Sequence, residues 1–567
     1  MSPKGVRLAL VSLLVFFIFL AFEIRAFYFQ FISRDEFIEK INRQHYTKLS
    51  FPSKRGRILD REGKEMALSM NVPSIYGVPS LIENEEEVAR SLAHFLDLDP
   101  KELQYKLSTN RHFVWIKRHV SPGEWERVKE LNIKGIGMIE EPKRFYPYKE
   151  LASVVLGFVN LDHEGLEGVE KAYEKFLRAP LMEMVIERDG LGRPFLPLEK
   201  ESEEGPWDVY LTLDVNVQYI LERALQEGLE QYRAKRAVGL IMDPVQGDIL
   251  GMASLPSFNP NCFWLYPSEN RKNLATLGLF EPGSTLKPFL VATALENGFL
   301  KPNDIVFCEG GRYNVFGITI RDVKSYDWLS VQEVIKFSSN IGAAKIARTI
   351  GADDYYKILK SFGFGEKTGV GLPEEKGVLK PPKLWTPVDL MTLGFGQGMS
   401  CTPLQIVTAY SALANGGLKV KPRIVKEMRR VGDRKVLVTE PQVGKRVLSP
   451  EVSRLIMGML EKVVLEGTGT KAFLEGYSIA GKTGTAQKYD PRTGTYSRER
   501  FVASFVGIFP ADRPRAVVLV MFDEPKTSIY GGEVAAPVFR KIVQELAQYW
   551  KIPPKSTLAM SEMGKGG

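Results

Sequence analysis

The chain of 567 residues is poor in the residue types from which many active sites are built. It has three cysteines, Cys262, Cys308 and Cys401, and no C-x-x-C pair, which excludes a disulfide framework and a zinc ribbon and leaves three isolated packing residues. Its five histidines, His45, His94, His112, His119 and His163, all lie in the first third. A Ser-His-Asp arrangement cannot be built from the rest alone, so a serine nucleophile there needs lysine as its base. Repeats with a period of ~20–50 residues are absent, excluding solenoids and propellers. Long apolar runs are absent too, apart from one near the N-terminus. With 44% hydrophobic and 25% charged residues the chain is neither disordered nor polytopic. Its length suggests several domains at about 100–200 residues each.

Met1 to Arg7 carries Lys4 and Arg7 without an acid and leads into the apolar run Leu8 to Phe22, broken by Ser12. A membrane span needs about 20 helical residues, reached when Val6 and Ile24, Ala26, Phe27 and Tyr28 are included. Ala21 to Ala26 offers no small-x-small cleavage site, and Phe27, Tyr28 and Phe29 form an aromatic belt, so an uncleaved anchor is expected rather than a cleaved signal peptide. The positive flank puts the N-terminus in the cytoplasm and the remainder outside the membrane.

The sequence divides into residues 1–29, a cytoplasmic tip and single transmembrane anchor; 30–205, a first external domain; 206–550, the main domain; and 551–567, a disordered tail. A helix is expected from Ser33 to Lys48, short strands and turns from Phe51 to Ser69, and helical periodicity from Glu83 to Asn132. Glu201 to Glu204, closed by Gly205 and Pro206, reads as the linker. Beyond it, Val209 to Asp214 predicts a strand, Asn216 to Tyr232 a helix, and Ala237 to Met242 with Asp248 to Ala253 a hairpin. Helices are expected between 284 and 361 and at Thr402 to Asn415, and strands at Phe501 to Phe509 and Ala516 to Phe522. Strands at both ends of a domain predict one sheet assembled from distant segments, an α+β fold.

Three short elements carry chemistry. In Glu281 to Phe289, Pro282 and Gly283 bend the chain into a helix start, where Ser284 and Lys287, three apart, share a face. Ser284 is the only serine in the chain followed by lysine three positions on. To act as a base Lys287 must spend time neutral, which requires burial or a second cation to pull it well below ~10.4. Ser338-Ser339-Asn340 precedes the helix-like Ile341 to Ile350; Ser-x-Asn also occurs at Ser69, Ser108, Ser257 and Ser268, but Ser338 alone lies downstream of Lys287. Its hydroxyl is suited to relay a proton and the Asn340 amide to bind a substrate backbone. Lys482-Thr483-Gly484-Thr485 has strand-like flanks, where a glycine lets substrate approach the backbone. A competing Lys367-Thr368-Gly369 reads as a loop.

In this order the three elements resemble those of the penicillin-binding proteins, active-site serine D,D-transpeptidases. Arg55 to Arg61 and Leu156-Gly157-Phe158 with Gly165 to Glu170 resemble the non-catalytic motifs of class B members, and Gly394 to Pro403 resembles the stretch before their third catalytic element. Val502 to Pro510, Asp523-Glu524-Pro525 and Tyr530-Gly531-Gly532 resemble the division-type, FtsI-like branch. The resemblance implies an elongated α+β pedestal or dimerisation domain over 30–205. Over 206–550 it implies a penicillin-binding, serine β-lactamase-like transpeptidase domain, an antiparallel sheet with helices packed on it.

It also implies that Ser284, deprotonated by Lys287, attacks the penultimate D-alanine carbonyl of a stem peptide, as in carboxypeptidase-like chemistry, and that β-lactams acylate the same serine. Ser338 and Asn340 would assist. Lys482 would depress Lys287 and, with Thr483, Gly484 and Thr485, bind the terminal carboxylate; the backbone N–H groups of Ser284 and Thr485 would form the oxyanion hole. No cofactor or metal is implied. The implied partners are stem peptides on the lipid-linked precursor, an FtsW-type glycosyltransferase and other divisome membrane proteins, with room for a homodimer and no nucleic acid. The alternatives are an elongation-type class B transpeptidase, or a β-lactam-binding acyl-serine receptor or β-lactamase. The second element reads Ser-Ser-Asn rather than Ser-Asp-Asn, as in other class B transpeptidases and unlike class A β-lactamases.

The net charge of +8 is local: residues 419–446 hold ten Lys or Arg against Glu427, Asp433 and Glu440. Val420, Ile424, Val425, Val436 and Val438 around Gly432-Asp433 predict a strand pair. It reads as a solvated hairpin or as a basic rim for anionic lipid headgroups or acidic glycan.

Overall fold

Residues from Pro3 to Phe27 form one helix, continued by a π-helical turn over Tyr28–Ile32. No part of its apolar window is buried, and it is long enough to cross a bilayer, as a single-pass anchor requires. The computed structural model describes residues 3–32, 46–51, 53–109, 113–179, 182–188, 194–200, 205–433, 435–490 and 492–555. Most of the helix expected at Ser33 to Lys48, the Glu201 to Glu204 linker, and residues 556–567 of the expected tail lie outside these described residues. Tyr46, Thr47 and Lys48 are not helical. They open the strand Tyr46–Phe51, which pairs antiparallel with Met182–Arg188.

The described chain forms two compact units. One comprises Met1–Ser53, Asn71–Pro142 and Ala179–Gly205. Its helices Glu85–Leu96, Pro100–Leu107 and Pro122–Glu130 start on side-chain caps from Asn84, Asp99 and Ser121, the last closing a capping box with Glu124. They bury Leu92, Leu96, Leu103, Leu107 and Val128 around Ile75. The helical periodicity expected from Glu83 to Asn132 is interrupted by the strand Val114–Lys117, whose inward residues Val114 and Ile116 complete that core.

The other unit comprises Lys54–Met70, Lys143–Arg178 and Pro206–Gly567. Its central sheet consists of β1 (Arg236–Met242), β2 (Ile249–Leu255), β3 (Ala480–Asp490), β4 (Thr495–Phe509) and β5 (Ala516–Asp523). The spatial order is β2-β1-β5-β4-β3 and every neighbouring pair is antiparallel. Distant segments thus build one sheet, and β3 is its edge. Alternation assigns the faces. Val518, Val520 and Phe522 of β5 point to the cluster containing Val215–Gln231 and the C-terminal helix Gly531–Tyr549. Val517, Leu519 and Met521 point to the opposite cluster, with Lys287–Glu296 and Pro403–Ala414. Ile552 to Lys555, placed by composition in a loose tail, are instead tied down: the Ile552 carbonyl accepts from Tyr477 and the Lys555 N–H donates to the Gly476 carbonyl.

Two motifs remote in sequence meet in this unit. Arg55 donates to Glu170 Oε2 at 3.0 Å and to the Glu170 carbonyl at 3.0 Å, and Arg144 donates to Glu170 Oε1 at 2.7 Å and to the Gly56 carbonyl at 2.8 Å. Burial alone would raise the Glu170 carboxyl, but Arg144 and Arg55 overcome it and hold the group low. Gly56 is required by close approach, since a Cβ there would lie 1.9 Å from the Trp207 carbonyl oxygen. Removing the Glu170 carboxylate strands the buried Arg144 guanidinium and leaves buried Arg55 with Glu174 as its one remaining carboxylate, at 2.8 Å. Glu170→Ala is therefore expected to lose about 3–5 kcal/mol in denaturant unfolding of the full chain. Arg57→Ala, breaking a partly exposed pair with Asp208, should lose about 1 kcal/mol or less.

Candidate active site

Ser284 sits in a 3-10 turn, Gly283–Leu286, and Lys287 opens the α-helix Lys287–Glu296, with Pro288 in its first turn where a missing N–H does no harm. The turn is pinned from two sides. Gly283 N–H donates to the Gly396 carbonyl at 3.0 Å. Glu281 Oε1 accepts from Gly398 N–H at 3.0 Å and from Tyr496 OH at 2.9 Å.

Lys287 is fully buried and its ammonium donates to the Ser338 carbonyl at 2.5 Å, to Asn340 Oδ1 at 2.8 Å and to Ser338 Oγ at 3.2 Å. Lys482, also fully buried, donates to the same Ser338 Oγ at 2.9 Å, to the Thr483 carbonyl at 3.2 Å and to Thr483 Oγ1 at 3.3 Å. One hydroxyl thus lies between two buried amines. Burial pulls Lys287 down to about 7, against an upward pull from Asp322. Burial, then the charge on Lys287, pulls Lys482 well below its ordinary value. Desolvation is the leading cause for both amines, and their repulsion, which is mutual, disfavours both being charged at once.

Ser338 reaches this position through a left-handed backbone, φ +61°, which costs a non-glycine residue roughly 1–2 kcal/mol. Asp322 holds that geometry. Its carboxylate accepts from Ser339 Oγ at 2.6 Å, Asn340 N–H at 2.5 Å and Ile341 N–H at 3.1 Å, capping the helix Asn340–Ile350. No sequence pattern singled out Asp322. It follows the short strand Ile318–Arg321, and only the fold brings it under the Ser-Ser-Asn element. The Asn340 amide is oriented at both ends, by Lys287 on its oxygen and by an Nδ2–H donated to the Arg321 carbonyl at 3.0 Å.

Lys482 to Thr485 lie within β3, with Lys482 opposite Val506 and Thr485 opposite Ala503 on β4. Ser284, Ser338, Asn340, Thr483 and Thr485 line one open cleft of ≈ 550 Å³. Glu466 and Glu533 stand on its rim, each against a lysine, Lys336 and Lys471. Gly484 does not line the cleft. A Cβ at 484 would lie 2.3 Å from Ser504 Oγ and 2.9 Å from Thr285 Cγ2, so this glycine lets the serine turn close on the sheet. Lys367-Thr368-Gly369 is a loop, folded on Glu374, which accepts from Thr368 N–H and Oγ1 and from Gly369 N–H.

A family model described as the penicillin binding protein transpeptidase domain matches residues 237–544, and one described as the penicillin-binding protein dimerisation domain matches 50–211. The chain is 34% identical to stage V sporulation protein D of Bacillus subtilis (strain 168) over 561 residues, 97% of this chain and 86% of that protein. It is 31% identical to peptidoglycan D,D-transpeptidase FtsI of Escherichia coli (strain K12) over 540 residues, 94% of this chain and 89% of that one. The structure of penicillin binding protein 3 from Mycobacterium tuberculosis, complexed with aztreonam, superposes with a TM-score of 0.69 at 26% identity, covering 89% of this chain and 98% of the other.

A methyl at position 484 must displace either Ser504 or the turn holding Ser284. Gly484→Ala is expected to destabilise the protein by about 1–3 kcal/mol, seen as a lowered unfolding midpoint, whereas Gly432→Ala, with nothing within 4 Å of the added carbon, should meet no steric clash and lose only what its left-handed backbone costs.

Proposed function

The chain belongs to the class B penicillin-binding proteins, FtsI-like D,D-transpeptidases, and from that premise we propose that it cross-links stem peptides of septal peptidoglycan through an acyl-enzyme on Ser284. The observation that carries this reading is the convergence of Lys287 and Lys482 on Ser338 Oγ beside Ser284 in one open cleft. Neutral Lys287 takes the Ser284 proton as Oγ attacks the penultimate D-alanine carbonyl. The backbone N–H groups of Ser284 and Thr485 hold the oxyanion, each donor worth ~10²-fold or more in rate. The proton then passes through Ser338 to the departing amine, terminal D-alanine leaves, and an amine of a neighbouring stem accepts the acyl group.

Thr483 and Thr485 receive the terminal carboxylate, with Lys482 behind them. An arriving anion favours the charged form of Lys482, and that charge in turn keeps Lys287 neutral. Substrate binding then prepares the base. Gly484 contributes by its missing side chain rather than by contact.

The septal role is supported by the likeness to FtsI along nearly the whole chain. A second reading, a sporulation-specific transpeptidase, is favoured by the comparable likeness to stage V sporulation protein D. In either, the single N-terminal helix keeps the catalytic unit on the outer face of the cytoplasmic membrane. An FtsW-type polymerase supplies glycan, and homodimerisation through the 30–205 region is compatible with both.

Incubated with a fluorescent penicillin, the full chain is expected to carry label on the peptide containing Ser284, and Lys287→Ala should acylate ~10²–10⁴-fold more slowly. Label elsewhere, no label on folded protein, or an undiminished Lys287→Ala rate would contradict the chemistry. In the native cell, depletion should give filaments. Normal division with failed sporulation would favour the second reading, and rounded cells an elongation enzyme.

A further inference from the structure

Two features singled out in the sequence have no part in the catalytic cleft: the second Lys-Thr-Gly at 367–369 and the basic segment from Lys419. The fold brings them together. Lys367, Thr368, Lys419, Lys421 and Pro422 line a separate cleft of ≈ 310 Å³, floored by Phe362, Thr408 and Val420 and containing no acidic side chain.

Two of the three lysines, half-buried Lys419 and exposed Lys421, lie against loop glycines. Lys419 Nζ lies over Gly363 and Lys421 over Gly369, where a Cβ would stand 2.8 Å from Lys419 Nζ and 2.7 Å from Lys421 Cε. Both glycines have left-handed backbones, φ +99° and +78°, so the loop turns beneath the lysines and leaves them room. Among the described residues no side-chain hydrogen bond or ion pair engages the ammonium of Lys367, Lys419 or Lys421. The nearby acids are already engaged: Glu366 pairs with Lys360 at 2.6 Å, and Glu374 accepts from the 368–369 backbone. Burial pulls the half-buried Lys419 below its ordinary value; Glu366 pulls it up and the charge of Lys360 adds to the fall.

We propose that this cleft is a second binding site, distinct from the transpeptidase cleft, for a phosphate-bearing polyanion of the diphosphate class. Three lysines lining one cleft whose lining holds no acid match a group of two or more negative charges better than a single carboxylate, and lysine is a point-charge phosphate binder. The apolar floor leaves space for whatever carries the phosphate, which is either a free ligand or a lipid headgroup.

The test titrates inorganic diphosphate into the full chain in nanodiscs of phosphatidylcholine, followed by calorimetry. Saturable binding is expected, weakening about tenfold for Lys419→Met and again for Lys421→Met, with penicillin acylation of Ser284 unchanged as the check on folding. Lys445→Met, on the same basic segment but outside the cleft, should bind as wild type. In nanodiscs containing phosphatidylglycerol, a loss of apparent diphosphate affinity that disappears in Lys419→Met identifies a lipid headgroup as occupant. Equal affinity in both nanodiscs identifies a free phosphate ligand. Absence of saturable binding, or equal weakening by Lys445→Met and Lys419→Met, would overturn the site.

Discussion

Two amines without solvent around one hydroxyl set the terms for the whole catalytic unit. Burying an ammonium costs several kcal/mol after relaxation, and two within reach of Ser338 Oγ add mutual repulsion. At least one of Lys287 and Lys482 must therefore be neutral near neutral pH, which is the state a serine nucleophile needs from its base. The surrounding structure exists to hold that arrangement: a left-handed Ser338, an Asn340 amide fixed at both ends, and Asp322 capping the helix that carries them. Asp322 also supplies the nearby negative charge that keeps the base from falling further.

The edge position of β3 is the second requirement. An edge strand leaves one side of its backbone unpaired with the sheet, open to an extended peptide, and places Thr483 and Thr485 on the cleft wall. In the proposed mechanism the same strand must also touch the serine turn closely enough for its backbone to share in binding an oxyanion. Gly484 meets that steric demand, packing against Thr285 and Ser504. One four-residue stretch thus combines a buried amine, two lining hydroxyls and a missing side chain.

Much of this was legible in the sequence because it rests on local patterns. The unique Ser284/Lys287 spacing, the absence of histidine after His163 and the alternation in β1 and β5 each derive from residues close together in the chain. Asp322 was not legible, since its role depends on a hairpin folding back under Ser339 and Asn340. Nor was the purpose of Gly484, whose neighbours come from segments about 20 and 200 residues away. Lys367-Thr368-Gly369 was readable as a loop, but its meeting with Lys419 and Lys421 is a product of tertiary folding. Tyr46 to Lys48 misled because charge and short apolar spacing mimic a helix, whereas pairing with Met182–Arg188 decides the conformation.

Everything in the catalytic reading turns on Lys287, desolvated and linked to Lys482 through Ser338, serving as the base near neutral pH. The decisive measurement is the pH dependence of the single-turnover acylation rate of the full chain by a β-lactam. With Lys287 lowered to about 7, the rate should climb as pH rises through that value and level off once the amine is neutral. A rate that is flat across this region, or that inflects only near the ordinary lysine value of ~10.4, would contradict that role.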